Sequence, residues 1–209
     1  MGRIVALAAV ALAVVPQTLA AAEQVSISAQ PVLVAWTVPT LFQGDVAGAR
    51  ANESVTLEER RCGSPSFTPL LRTDTDTRGA WHVRWAALVN ASFRARARGE
   101  VSATVTVRVR PSITVRELAR GRFLVHINAI KAFWRRKGVF ERFDRRAQRW
   151  VRAKTFVFTD TGATSGTTVW SQARFRANVG RGTLVRATIS TAEARPCYVA
   201  GVSNMLRTR

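Results

Sequence analysis

From Val25 onward the chain alternates apolar and polar residues far more often than it repeats them at helical spacing. Successive side chains of a strand point to opposite faces, so a period of two marks a half-buried strand. The clearest case is Val101–Arg110, where Val101, Ala103, Val105, Val107 and Val109 alternate with Ser102, Thr104, Thr106 and Arg108. By the same pattern strands are expected at Val25–Ser28, Val32–Val38, Ser54–Arg60, Phe67–Thr73, Ala80–Trp85 and Ala91–Arg98. Turn chemistry separates these runs, as in Gly63-Ser64-Pro65, Asp74 to Gly79 and Arg98-Gly99-Glu100. After Pro111 a second set is expected at Ile113–Leu118, Arg122–Ile130, Gly138–Phe143, Trp150–Phe158, Thr167–Phe175, Leu184–Ser190 and Tyr198–Arg207. Only Arg116–Arg120 and Phe133–Lys137 offer a helical alternative, and both are short. About seven short strands per ~90 residues predict an all-β chain of antiparallel β-sandwiches.

The two sets echo each other. Ser54 to Arg61, a turn and Phe67-Thr68-Pro69-Leu70 parallel Gly138 to Arg146, a turn and Trp150 to Ala153. Ser92-Phe93-Arg94-Ala95 followed by Val101-Ser102 parallels Leu184-Val185-Arg186-Ala187 followed by Val202-Ser203. Repetition at this length predicts tandem domains, 23–110 and 111–209, meeting at Arg110–Ser112.

The first 22 residues differ from the rest. Arg3 precedes an apolar run, Ile4 to Val15, which Pro16 ends, and small residues follow as far as Ala22. This is the pattern of a cleavable signal peptide, and the run is too short to span a bilayer. Export permits disulfides. The two cysteines, Cys62 and Cys197, fall one in each half, so an interdomain disulfide and two separate thiols are both open.

Charge changes the picture in one half only. The chain has 209 residues, 32 Lys+Arg against 13 Asp+Glu, and a net charge of +19. Residues 23–110 carry 11 arginines and 8 acids, whereas residues 111–209 carry 20 Lys+Arg and 5 acids. Attraction to polyanions is therefore expected in the second half.

Several segments carry a resemblance: VTLEERRCG, TDTDTRGAWHV and FRARARGEVSATVTVRVRP in the first unit, FERFDRRAQRWVRAK and GTLVRATIS with YVAGVSN in the second. They resemble the tandem Ig-like modules of secreted proteins from GC-rich bacteria. The resemblance implies two Ig-like sandwiches, an extracytoplasmic location and an accessory role, and it brings no functional residues with it. The Cys…Trp…Cys spacing of antibody domains is missing.

No catalytic or metal signature appears. His82 and His126 lack an accompanying nucleophile motif and read as structural or surface residues. Asp74 and Asp76 read as a strand-connecting turn rather than calcium ligands. Glu58 and Glu59 point to opposite faces, so they cannot act as a catalytic pair, and they read as a solvated strand edge. Asn52-Glu53-Ser54 and Asn90-Ala91-Ser92 are glycosylation sequons by pattern alone. The expectation is a non-catalytic protein without a cofactor, secreted or held at the cell envelope.

One stretch suggests binding chemistry. Between Lys131 and Lys154 lie Arg135, Arg136, Lys137, Arg142, Arg145, Arg146, Arg149 and Arg152, interleaved with Phe133, Trp134, Phe140, Phe143 and Trp150. Guanidinium forks pair with phosphate and carboxylate oxygens, and exposed aromatics stack on sugars or bases. Cell-wall polymers, lipid headgroups and extracellular nucleic acid are the candidate partners, with no specific nucleic acid expected. The competing reading makes the rings core and the arginines a solvated face.

Overall fold

The computed structural model describes residues 24–164 and 166–209, and the signal-peptide expectation on residues 1–22 lies outside them. The described chain is all-β. Strands β1 (Ser28–Gln30), β2 (Leu33–Ala35), β3 (Thr40–Asp45), β4 (Ser54–Arg61), β5 (Thr68–Asp74), β6 (Ala80–Trp85), β7 (Ala91–Ala97), β8 (Glu100–Val101) and β9 (Val105–Arg110) come first. They form two sheets, ordered β1-β3-β6 and β2-β9-β7-β4-β5, with β8 on β7. All pairings are antiparallel except β2 with β9. Strict alternation explains β7: Ala91, Phe93, Ala95 and Ala97 are buried, and the residues between them are half-exposed. Phe93 reaches the opposite sheet, where its ring lies 4.5 Å from that of Phe42 on β3, so the two sheets share one apolar layer.

The later strands repeat this plan. They are β10 (Ser112–Ala119), β11 (Arg122–Ala129), β12 (Lys137–Asp144), β13 (Arg149–Val157), β14 (Asp160–Ala163), β15 (Val169–Arg176), β16 (Leu184–Ile189), β17 (Gly201–Val202) and β18 (Leu206–Arg207). One sheet runs β10-β11-β15-β14 and the other β13-β12-β16-β17, with β18 also on β16. Phe123 on β11 meets Phe140 on β12 across the layers, again at 4.5 Å, and Phe175 packs against both. The only helix among the described residues is one turn, Thr191–Ala194, capped by Ser190. No described helix is long and apolar enough to cross a membrane.

Several expectations need correction. Thr40–Asp45 and Asp160–Ala163 are strands the alternation missed, because polar residues take inner or edge positions there. Thr40 is fully buried and its hydroxyl donates to the Pro31 carbonyl. Val101–Arg110 is two strands, not one. Ser102 turns inward, its Oγ accepting from Ala95 N and donating to Ala103 O, so the alternation restarts at Val105. Tyr198–Arg207 likewise yields only two short strands, around Ser203 with the same contacts to Ala187 N and Asn204 O. Arg116–Arg120 belongs largely to β10, and Phe133–Lys137 is a turn leading into β12. Glu58 and Glu59 are buried rather than solvated: Glu58 binds Arg94 and Arg96, and Glu59 binds Arg61.

No strand of the first set pairs with one of the second. They are joined through Asn90. Its backbone N donates to Cys197 O, its carbonyl accepts from Cys62 N, its Nδ2 donates to Pro196 O and its Oδ1 accepts from Val109 N. Val199 N adds a bond to Val109 O. Beside this knot Cys62 and Cys197 form a disulfide, with Cα atoms 5.2 Å apart. The chains pass closely here: a Cβ on Gly201 would come within 2.8 Å of Ile113.

Candidate polyanion-binding pole

Antiparallel order brings four chain segments to the end of the second half that faces away from the disulfide. They are the β10–β11 turn, the β12–β13 turn, the β15–β16 loop and the C-terminal residues. Register and bonds join them: Arg122 pairs with Arg176, Ala177 N donates to Gly121 O, Gly182 N donates to Thr208 O, and Arg209 N donates to Glu117 Oε2. Each segment carries exposed arginines. The first turn supplies Arg120 and Arg122, the second Arg142, Arg145, Arg146 and Arg149, the loop Arg176 and Arg181, and the terminus Arg207 and Arg209. Among the described residues none of these ten forms an ion pair.

Five of them converge. Arg142, Arg145, Arg146, Arg181 and Arg207 line an open cleft of about 540 Å³, together with Phe143, Asp144, Gly182 and Thr183. Arg207 is steadied by a bond to Gly182 O of 2.9 Å, and Gln148 Nε2 donates to Arg145 O. The one carboxylate in the cleft is committed to the turn, since Asp144 Oδ1 accepts from Arg146 N and Ala147 N. The bonds from Ala147 N and Arg146 N hold the Asp144 carboxyl below its ordinary range. Glu117, at the same end, is likewise occupied by Gly121 N and Arg209 N. The arginine heads thus face solvent with little opposing charge, an arrangement suited to a ligand with repeated anionic groups.

The contiguous basic stretch does not stay together. β12 is eight residues long, so its two ends are about 25 Å apart. Arg142, Arg145, Arg146 and Arg149 reach the pole. Trp134, Arg135, Arg136 and Lys137 lie at the opposite, disulfide-bearing end, with Trp134 51% exposed beneath the Arg135 guanidinium at 4.2 Å. Arg152 and Lys154 lie along β13, across from Glu141 and Phe140, and both are exposed. Trp150 is half-buried: it packs edge-on against Phe143 and carries Arg186 at 4.2 Å, and Arg186 binds Glu141 at 2.7 Å. Phe133 and Phe140 are core.

Sequence reasoning missed Arg120, Arg122, Arg176, Arg181, Arg207 and Arg209. A signal existed. Arg120-Gly121-Arg122 and Gly180-Arg181-Gly182 place arginines beside turn glycines, and in an antiparallel sheet alternate turns share an end.

The fold and this surface define an all-β, sandwich-like protein with a strongly cationic pole. No family model and no curated protein sequence matches the chain.

Proposed function

We propose that this is an exported, non-catalytic protein of two Ig-like sandwiches, residues 23–110 and 111–209 behind a 1–22 signal peptide. Its second half binds a phosphate-bearing anionic polymer of the cell envelope through the arginine pole. The observation that carries the reading is the cleft in which Arg142, Arg145, Arg146, Arg181 and Arg207 converge while Asp144 is tied to its own turn. The Cys62–Cys197 disulfide favours an oxidising compartment. Sheets ordered β10-β11-β15-β14 and β13-β12-β16-β17 suit an Ig-like module, as does the placing of the successive strands β1 and β2 at the edges of different sheets in the first half.

Retention on immobilised inorganic polyphosphate tests this. The unaltered protein should bind and elute with salt. Arg145→Glu with Arg146→Glu should make the fall of log affinity with log salt less steep by at least about 1.4, since each lost phosphate contact removes about 0.7–0.9. Arg60→Glu with Arg72→Glu, in the first half, should leave it unchanged. Equal elution of the pole variant and the unaltered protein overturns the proposal.

A further inference from the structure

His126 is unused by the pole, and its surroundings form a site of another kind. It lies on the outer face of the β10-β11-β15-β14 sheet. There the register sets Thr114, His126, Gln172 and Asp160 in one row across all four strands. Ser112, Asn128, Trp170 and Gly162 form the next row. Asn128 Oδ1 can only accept, so the 2.8 Å contact fixes the proton on His126 Nε2. Nδ1 then accepts from Gln172 Nε2 at 2.9 Å. With both ring nitrogens occupied by amides, His126 is no general base. Instead it locks the two amides in place, and Asn128 Nδ2 and Gln172 Oε1 remain for a ligand.

These groups line an open cavity of about 320 Å³ together with Thr114, Arg116 and Leu124. Beside it lies Trp170, its ring nearly parallel to the His126 ring at 20°. Gly162 is what lets the indole lie across β14, because a Cβ there would come within 2.5 Å of Trp170 Cζ2. The cavity thus offers fixed amide donors and acceptors, a hydroxyl and one guanidinium, with an indole alongside. Hydroxyls, a carboxylate and an apolar ring face are what these groups complement.

We propose that this face binds an acidic glycan, one uronic acid unit seated between Arg116, Asn128 and Gln172 and a neighbouring sugar against Trp170. The site is separate from the pole and does not depend on it.

Titration of the whole protein with tetragalacturonate, followed by calorimetry, tests the assignment. Saturable binding is expected, weakened at least tenfold by Gln172→Ala and by Trp170→Ala. Arg116 is exposed, so Arg116→Gln keeps the fold, and it should remove the preference for tetragalacturonate over its neutral methyl ester. Arg145→Glu with Arg146→Glu should bind as the unaltered protein does. Absence of saturable binding by the unaltered protein overturns the proposal. So does binding that Arg116→Gln leaves intact and the pole variant abolishes, an outcome that would assign the interaction to the pole instead.

Discussion

The two halves share a small piece of architecture but differ in what surrounds it. In the first half Glu58 binds Arg94 at 2.6 Å, and Arg94 stacks over Phe67 at 4.2 Å. In the second, Glu141 binds Arg186 at 2.7 Å, and Arg186 stacks over Trp150 at 4.2 Å. Both glutamates sit directly after a register shift with the neighbouring strand, at Leu57/Glu58 and Phe140/Glu141. In both halves an inward serine, Ser102 or Ser203, caps the amide of an alanine one position after the stacked arginine. Beyond this common unit the balance diverges. The first half also pairs Arg61, Arg96, Arg98 and Arg78 with acids, whereas the second has Arg186–Glu141 as its one ion pair among the described residues. A general preference for arginine would load both halves alike. What sets the second apart is a larger number of Lys+Arg, 20 against 11, set against fewer acids, 5 against 8, and its unpaired arginines are concentrated at the end away from the junction.

The largest effect that would break the comparison concerns the junction. Cys62 and Cys197 are 135 residues apart, and chain entropy assigns such a crosslink about 5 kcal/mol against the unfolded chain. Cys62→Ser with Cys197→Ser should therefore lower the urea midpoint of the whole chain and separate the unfolding of the two halves into two transitions. Coincident, unshifted transitions would mean the halves are already coupled by the Asn90 knot alone.

A smaller effect separates the two glutamates. Glu58 is 6% exposed and holds two guanidinium groups, so Glu58→Gln leaves both without their counter-charge and should cost about 3 kcal/mol. Glu141 is more open and holds one, so Glu141→Gln should cost about 1 kcal/mol. Chemical denaturation of both variants checks the ranking. The pH dependence follows from the same contact. Burial alone would raise the Glu58 carboxyl, but the bonds from Arg96 and Arg94 outweigh it and hold the group below its ordinary value. A depressed carboxylate stabilises the fold above the unfolded value of about 4.3, and that stability is lost as pH falls through the folded value. Acid unfolding should thus be flatter for Glu58→Gln than for the unaltered protein.

An effect below that of Glu58→Gln should be equal in the two halves. Ser102→Ala and Ser203→Ala each leave one buried alanine amide without its acceptor, at about 1–2 kcal/mol. Thermal melts that differ between the variants by more than about half of that would show that the two serines are not equivalent.

The all-β pattern was legible because most inner positions are apolar, as on β7 and β11, where every second residue is buried. It failed where polar groups took structural positions. Thr40 hid β3, Ser102 and Ser203 broke their strands, and β14 has no large side chain of its own because Trp170 lies across it. The hairpin repeat was visible in the residue pattern, but not the carboxylate bonds that make it a unit, since Glu58 and Arg94 are 36 residues apart. Only part of the pole could be read. Arg142, Arg145 and Arg146 are near neighbours in sequence, whereas Arg181 and Arg207 join them through the pairing of β16 with β12 and β18.

The concentration of unpaired guanidinium groups at one extremity has an orienting consequence. Near a negatively charged wall the molecule experiences a torque as well as an attraction, and it turns its second half toward that wall. The nearly neutral first half, bolted through the disulfide to the end of the second half opposite the pole, is then the part turned away from that wall.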